Sequence, residues 1–405
     1  MNIALLHYSS PPVVGGVESV IGHHARLMKA AGHEVRVIAG RGEQTIPGVQ
    51  FKRLPLADSR HPDVLEVKSE LDTGRVPDKF SALVSEIRAA LLPLIADINI
   101  LIAHNVCSLN KNLALTAALH ESFEQGHPGR LVLWHHDLAW TTPRYQAELH
   151  PDYPWDLLKT AWPGAIQVVV SAARRDDLAG LMQINRDQIK IVPNGIDISG
   201  FLDLSADTLQ FIDKLKLLNT NPLILLPVRI TTRKNIELAI RIMSSVREKF
   251  PDARLLVTGP LGPHNPANRA YFDRLTSLRD ELELRGVVSF LAELTSEFVP
   301  DRVITDLYRL ADALLLPSRE EGFGLPILEA GLTGIPVFCT DIPALKELGG
   351  AHVSYFSPDE KPEKAAELIL NYLQTSPVFG LRAAVRKEFN WERVYADKIA
   401  PLLAA

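Results

Sequence analysis

Two glutamates, Glu321 and Glu329, bracket Gly-Phe-Gly-Leu-Pro-Ile-Leu, a stretch without a charge. A carboxylate set among apolar neighbours must find a polar partner, because taking it out of water unpaired is costly. Ala313 to Leu316 reads as a buried strand and Pro317 to Gly324 as its carboxyl-end loop. Pro326 suits the first turn of a following helix, where its missing N–H is not needed. Glu321 then sits in the loop and Glu329 about one turn into the helix, so both can face one strand end. A helix N-terminus there attracts phosphate, and Gly322 and Gly324 let backbone approach a ligand closely. An anionic ligand with hydroxyl groups satisfies this arrangement: amides for phosphate, carboxylates for sugar or ribose hydroxyls. The alternative is that Glu329 caps its own helix and Glu321 is solvated.

A second stretch, Pro227-Val-Arg229-Ile-Thr-Thr-Arg-Lys234-Asn, follows another apolar run. Arg229 ending a strand and Lys234 opening the next helix can set two cations against a diphosphate, the first as a planar fork and the second as a point charge. No Asp or Glu occurs from 229 to 236, so the charge has no local counter-ion. The same residues would also make an ordinary solvated basic turn. Near the N-terminus, Gly15-Gly16-Val-Glu18 lies between a strand and a helix, which suggests backbone contact with phosphate, although the stretch is not the GxGxxG of a dinucleotide site. Trp134-His135-His136-Asp137 also ends a strand, so one imidazole can reach a site there or serve structurally. The spacing lacks the HExxH of a zinc site, and no metal is expected.

These motifs need elements to hold them at strand ends. Short Val, Ile and Leu-rich runs recur at 3–6, 35–39, 98–103, 131–134 and 168–170, with helical patterns between several of them. The pattern begins again at 223–228, 254–257, 287–290, 313–316 and 336–339, with helices expected near 234–249, 267–284, 302–311 and 326–333. Strands alternating with helices give mostly parallel sheets covered on both faces. The fold expected is α/β, two Rossmann-like doubly wound domains facing across a cleft. The two domains would span 1–196 and 197–385, with helical sequence beyond to the chain's end. In such sheets ligands bind beyond the carboxyl ends of the strands.

Bulk composition excludes some classes. The chain has 405 residues, 43 basic and 48 acidic, a net charge of −5, and 46 % apolar residues. That balance offers no basic field for nucleic acid. Cys107 and Cys339, each beside an apolar stretch, read as buried thiols of a reducing compartment. No signal peptide is legible at the start, and the span 90–103 is too short for a bilayer, so a cytoplasmic protein is expected. Arg26, Lys29 and Arg36 form only a sparse basic patch, weak support for peripheral membrane contact.

Taken together these residues resemble the GT-B-fold glycosyltransferases, most closely the retaining family 4, also called group 1. Glu321 to Glu329 matches that family's glutamate, seven residues, glutamate signature, and Arg229 with Lys234 its arginine, four residues, lysine. Pro193-Asn-Gly-Ile-Asp197 matches its inter-domain turn, Gly15-Gly16-Val-Glu18 its first loop, and His136-Asp137 its histidine, though His135 could also align. The resemblance implies a nucleoside-diphosphate sugar as donor, a hydroxyl as acceptor, no metal and no cofactor. Glu329 would hold the ribose hydroxyls, and Glu321 with the amides of Phe323, Gly324 and Leu325 the sugar and distal phosphate. Arg229 and Lys234 would neutralise the leaving diphosphate, His136 would touch the transferred sugar, and Gly15 and Gly16 would bring backbone to the phosphate or acceptor. The resemblance also implies that 1–196 is the acceptor-side domain and 197–385 the nucleotide-sugar-binding domain, that a helix over 386–405 crosses back to the first, and that the domains close over the donor. The sequence departs from the family at Pro260–Arg269, a long polar segment, and at Asp341-Ile-Pro-Ala-Leu, which leaves the base open. Loops around His104-Asn105 and Ala139–Tyr153 would select the acceptor, with Trp140, Tyr145, Tyr153 and Trp155 as a stacking platform or as loop packing. A phosphorylase or epimerase of the same fold and a silent scaffold are the rival readings.

Overall fold

Strand β1, Asn2–Ser9, is buried from Ile3 onward because parallel neighbours and flanking helices cover it on all sides. It lies within a seven-stranded sheet with β2 (Glu34–Arg41), β3 (Gln50–Arg53), β4 (Ile100–His104), β5 (Arg130–His135), β6 (Ile166–Val169) and β7 (Ile189–Ile191), in the order β3-β2-β1-β4-β5-β6-β7. A second, six-stranded sheet runs β10-β9-β8-β11-β12-β13, from β8 (Leu223–Leu226), β9 (Arg254–Val257), β10 (Val288–Phe290), β11 (Ala313–Leu316), β12 (Val337–Thr340) and β13 (Ser354–Phe356). Every pairing in both sheets is parallel. The strand order reverses beside β1 and β4 in the first sheet and beside β8 and β11 in the second, the places where α/β sheets bind ligands.

This computed structural model describes residues 1–261 and 266–404. The chain divides into two units, Met1–Gly195 with Trp391–Ala405, and Ile196–Asn390. The first unit's sheet has apolar layers on both faces. One layer includes Val20, Ile21, Met28 and Trp134 together with Trp391, Val394, Ile399, Leu402 and Leu403 from the chain's end. The returning segment begins at Trp391 rather than at 386, because the helix Pro377–Glu388 stays with the second unit. There the buried Arg386 donates to Asp312 Oδ1, whose other oxygen accepts the Leu223 N–H at 2.8 Å. Gly195, at the crossing, has no room for a Cβ, which would lie 2.6 Å from the Trp391 indole.

Both cysteines are buried and free. Burial pushes the Cys339 thiol up to about 12 and the Cys107 thiol well above its ordinary value. Among the described residues no helix is long and apolar enough to cross a membrane. The three cations of the first helix and second strand each face a carboxylate: Arg26 with Glu392 at 3.3 Å, Lys29 with Glu34 at 3.0 Å and Arg36 with Asp97 at 2.8 Å.

Candidate active site

The loops after β8 and β11 carry the paired glutamates and the cations, and these two strands are neighbours that pair Ala313 with Ile224. Lys234 lies in a short turn, Thr232–Lys234, before the helix Ile236–Lys249. Its ammonium meets Glu321 Oε1 at 2.5 Å, with both side chains more than nine-tenths buried. The absence of a local counter-ion is thus made good from 87 residues away. Burial lowers the Lys234 pKa, and the bond to Glu321 opposes that shift. Ser318 Oγ donates to the same Glu321 oxygen at 2.8 Å, and the Ser318 carbonyl accepts from Thr340 Oγ1 at 2.5 Å. The Arg319 N–H bonds to the Arg233 carbonyl at 2.8 Å and Arg233 Nη1 to the Glu320 carbonyl at 3.2 Å, so the two loops are joined along their length. Arg229 is exposed and free of these contacts, at the mouth of the same cavity.

Glu329 sits within the helix Leu325–Thr333, where Pro326 takes an early position, and it does not cap that helix. Instead Tyr308 donates to its Oε2 at 2.6 Å. Gly324 has φ +105°, a left-handed conformation suited to glycine, and a Cβ there would press on Leu345 at 2.8 Å. Gly322 has open space around it. Arg229, Lys234, Glu321, Phe323, Gly324, Leu325 and Glu329 line one cavity of about 430 Å³ at the carboxyl end of the second sheet. Pro260 also lines it, whereas residues 262–265 of the long polar segment lie outside the described residues. Asp341-Ile-Pro-Ala-Leu is not part of its wall.

Gly259 is the residue that lets this end of the sheet close. A Cβ on it would stand 1.9 Å from the Val228 carbonyl oxygen and 2.6 Å from the Arg229 Cα. Gly259→Ala should therefore displace Arg229, cost about 1–3 kcal/mol in chemical denaturation and weaken nucleoside-diphosphate binding. A variant with wild-type stability and nucleotide affinity would show that the strand end yields without moving Arg229.

In the first unit, Gly15 precedes the helix Gly16–Ala30 in extended backbone that any residue adopts, and Gly16 has open space where a side chain would be. Ser9, ending β1, donates to Glu18 Oε1 at 2.6 Å, which fixes the first turn of that helix. Asn105, with φ 56°, reaches across from β4 and accepts the His136 N–H at 2.8 Å, holding the loop after β5. His136 Nε2 lies 3.1 Å from His104 Nδ1, and His7 Nδ1 lies 2.6 Å from the His104 carbonyl. His135 is turned into the sheet, 2.8 Å from the Gln167 side chain, which leaves His136 as the imidazole nearer the surface. Burial is the main cause that lowers the pKa of these groups: His7 and His135 to about 4, His24 and His136 to about 3, and His104 well below its ordinary value. All five imidazoles are neutral at physiological pH.

The aromatic loop is mostly packing. Trp155 is buried, its carbonyl accepts from Trp140 Nε1 at 3.2 Å, and Lys159 covers the Trp140 ring at 4.3 Å. Tyr308, Ser318 and Gly259, which complete the site in the second unit, were not picked out from the sequence. Tyr308 acts across 21 residues and Gly259 through bare backbone, so no local spacing betrays them, whereas Ser318 lies 3 residues before the Glu321 it bonds.

Two family models match the chain: "Glycosyltransferase Family 4" over residues 14–199 and "Glycosyl transferases group 1" over residues 207–388. The chain is 24 % identical over 373 residues to a mannosylglucosylglycerate synthase of Petrotoga mobilis, spanning 86 % of this chain and 84 % of that protein. It is 24 % identical over 439 aligned positions to an MMP alpha-(1->4)-mannosyltransferase of Mycolicibacterium hassiacum, spanning 99 % and 97 %. Among solved structures, a sucrose-phosphate synthase from Thermosynechococcus elongatus aligns at 17 % identity over 100 % of this chain and 98 % of that one, with a TM-score of 0.38.

Proposed function

The chain belongs to the group 1, or family 4, glycosyltransferases, and on that footing we propose that it moves a hexose from a nucleoside-diphosphate sugar to an acceptor hydroxyl with retention at the anomeric carbon. The observation that carries this reading is the convergence of Glu321, Glu329, Arg229 and Lys234 on one cavity in the second unit. A departing diphosphate develops negative charge, and fixed cations stabilise the transition state more than the ground state. Lys234 has three donors; one meets Glu321 and the others are left for phosphate oxygens. Arg229 adds a planar fork without a competing partner among the contacts above. The cations do the work a metal would otherwise do, so the reaction needs no metal and no cofactor.

Glu329 takes the ribose hydroxyls, and the Phe323 to Leu325 backbone takes the distal phosphate and sugar. Neutral His136 offers a hydrogen bond to the transferred sugar, and Gly15 and Gly16 let backbone approach the phosphate or acceptor. The bond from the anomeric carbon to the phosphate oxygen breaks, the acceptor oxygen bonds on the same face, and the acceptor proton passes to the departing phosphate. The names of the similar proteins, one a mannosyltransferase and the other a mannosylglucosylglycerate synthase, support a hexose as the group moved. The reading places the enzyme in the cytoplasm.

The test is thermal unfolding with UDP, GDP and ADP, each with and without EDTA. A nucleotide at about a hundred times its dissociation constant should add about 2.7 kcal/mol, with EDTA making no difference. Stabilisation lost on adding EDTA would argue for a metal, and stabilisation by none of the three would overturn the donor site. The anomeric proton coupling of the product reports retention.

A further inference from the structure

Glu329 faces the cavity, yet one of its carboxylate oxygens is already engaged. Tyr308, on the helix Asp301–Leu310, is 2 % exposed and its ring is held in the apolar core of the second unit. Its hydroxyl lies 2.6 Å from Glu329 Oε2, the length of a charge-assisted O–H···O⁻ bond. Burial, and then Glu329 itself, raise the Tyr308 pKa well above its ordinary value, so the phenol keeps its proton and remains a donor. The last torsion of a glutamate is broad and easily turned, and a phenol fixed in a core is a means of stopping it.

We propose that Tyr308 is a positioning residue that sets which oxygen of Glu329 meets the donor ribose, leaving Oε1 to accept from one hydroxyl of the ribose diol. The inference rests on the donor-site reading given above. It goes beyond that reading by making recognition of the two ribose hydroxyls unequal. A carboxylate free to turn could accept from either hydroxyl; one held through Oε2 presents a single oxygen in a fixed direction. Tyr308 itself never touches the nucleotide.

Calorimetric titration of the full chain with UDP, GDP and ADP, and with the 2′-deoxy and 3′-deoxy form of each, tests this. For the nucleotide that binds the wild type, removal of one ribose hydroxyl should weaken binding about tenfold and removal of the other less than about twofold. Tyr308→Phe, nearly isosteric, should weaken the parent nucleotide about tenfold and bring the two deoxy forms to similar affinity. In a Glu329→Ala background the same change should cost less than about twofold, because Tyr308 acts through that carboxylate. Equal losses for the two deoxy forms in the wild type would overturn the inference without any variant. So would a Tyr308→Phe protein that keeps the wild-type discrimination, or one whose loss persists in the Glu329→Ala background. Binding of a nucleotide with equal losses sinks this inference alone, whereas binding of none sinks the donor-site reading and the inference together.

Discussion

Lys234→Met is expected to lower turnover by on the order of 10²–10³-fold, the effect of deleting one preorganised group that stabilises developing charge, and to destabilise the second unit by about 3–5 kcal/mol. The second effect follows from what the variant leaves behind. Glu321 keeps the Ser318 hydroxyl at 2.8 Å, but its other cation, Arg233, is 3.9 Å from Oε2 and half exposed. Removing one member of a buried pair strands the other charge, which costs far more than the pair contributed while intact. Glu321→Gln in the same chain should recover most of that stability, since the stranded charge is gone, and should recover none of the turnover. Urea denaturation and donor turnover measured on the single and double variants separate the two roles. A single variant that turns over normally would remove Lys234 from the chemistry and leave it a structural ion pair. Loss of turnover with unaltered stability would instead mean that water or Arg233 reaches Glu321 when the lysine is absent.

The parts of this site that share a strand end were legible in the sequence. Glu321 and Glu329 flank an apolar run, and Arg229 and Lys234 follow another, so the order of strand, loop and helix already points them to one place. The central strands were equally plain: β1, β4, β8 and β11 are covered on both faces and read as continuous apolar runs. The edge strands β3, β7 and β13 were not picked out. Gln50–Arg53 is a polar tetrapeptide, Ile189–Ile191 and Ser354–Phe356 are three residues each, and an edge with one partner needs neither length nor apolar character. The partners of the site were hidden for a different reason. Tyr308 and Glu329 lie 21 residues apart on separate helices, and Lys234 meets Glu321 across 87 residues. Periodicity states which face of an element is buried, but not which neighbour it meets there. Gly259 could only be recognised from the 1.9 Å its missing Cβ would leave to the Val228 oxygen, a fact about two strands together.

Acid should unfold the first unit before the second. His7, His24, His104, His135 and His136 are buried there as neutral rings. His24 is packed edge-on against Trp134, with ring centroids 4.7 Å apart, and against Trp391 at 5.4 Å. An unfolded histidine titrates near 6.5. Below that pH the unfolded chain takes up protons that the folded unit refuses, so stability falls as pH falls. The loss continues to about 4, where His7 and His135 begin to charge in place, and to about 3 for His24 and His136. Each such ring contributes a slope approaching 1.4 kcal/mol per pH unit. Together the five remove several kcal/mol between pH 6 and 5, a large part of the whole stability of many domains. The second unit has no counterpart to this cluster: among its described residues the histidine is His352. All 5 tryptophans, Trp134, Trp140, Trp155, Trp162 and Trp391, belong to the first unit. Urea titrations at pH 8, 7, 6 and 5, followed by tryptophan fluorescence, therefore report that unit alone, while far-ultraviolet circular dichroism reports both. The fluorescence midpoint should fall steeply below pH 6.5 and separate from the dichroism midpoint. Two midpoints that move together down to pH 5 would mean that the imidazoles are hydrated in the folded unit, and that His136 is free to carry charge at the site.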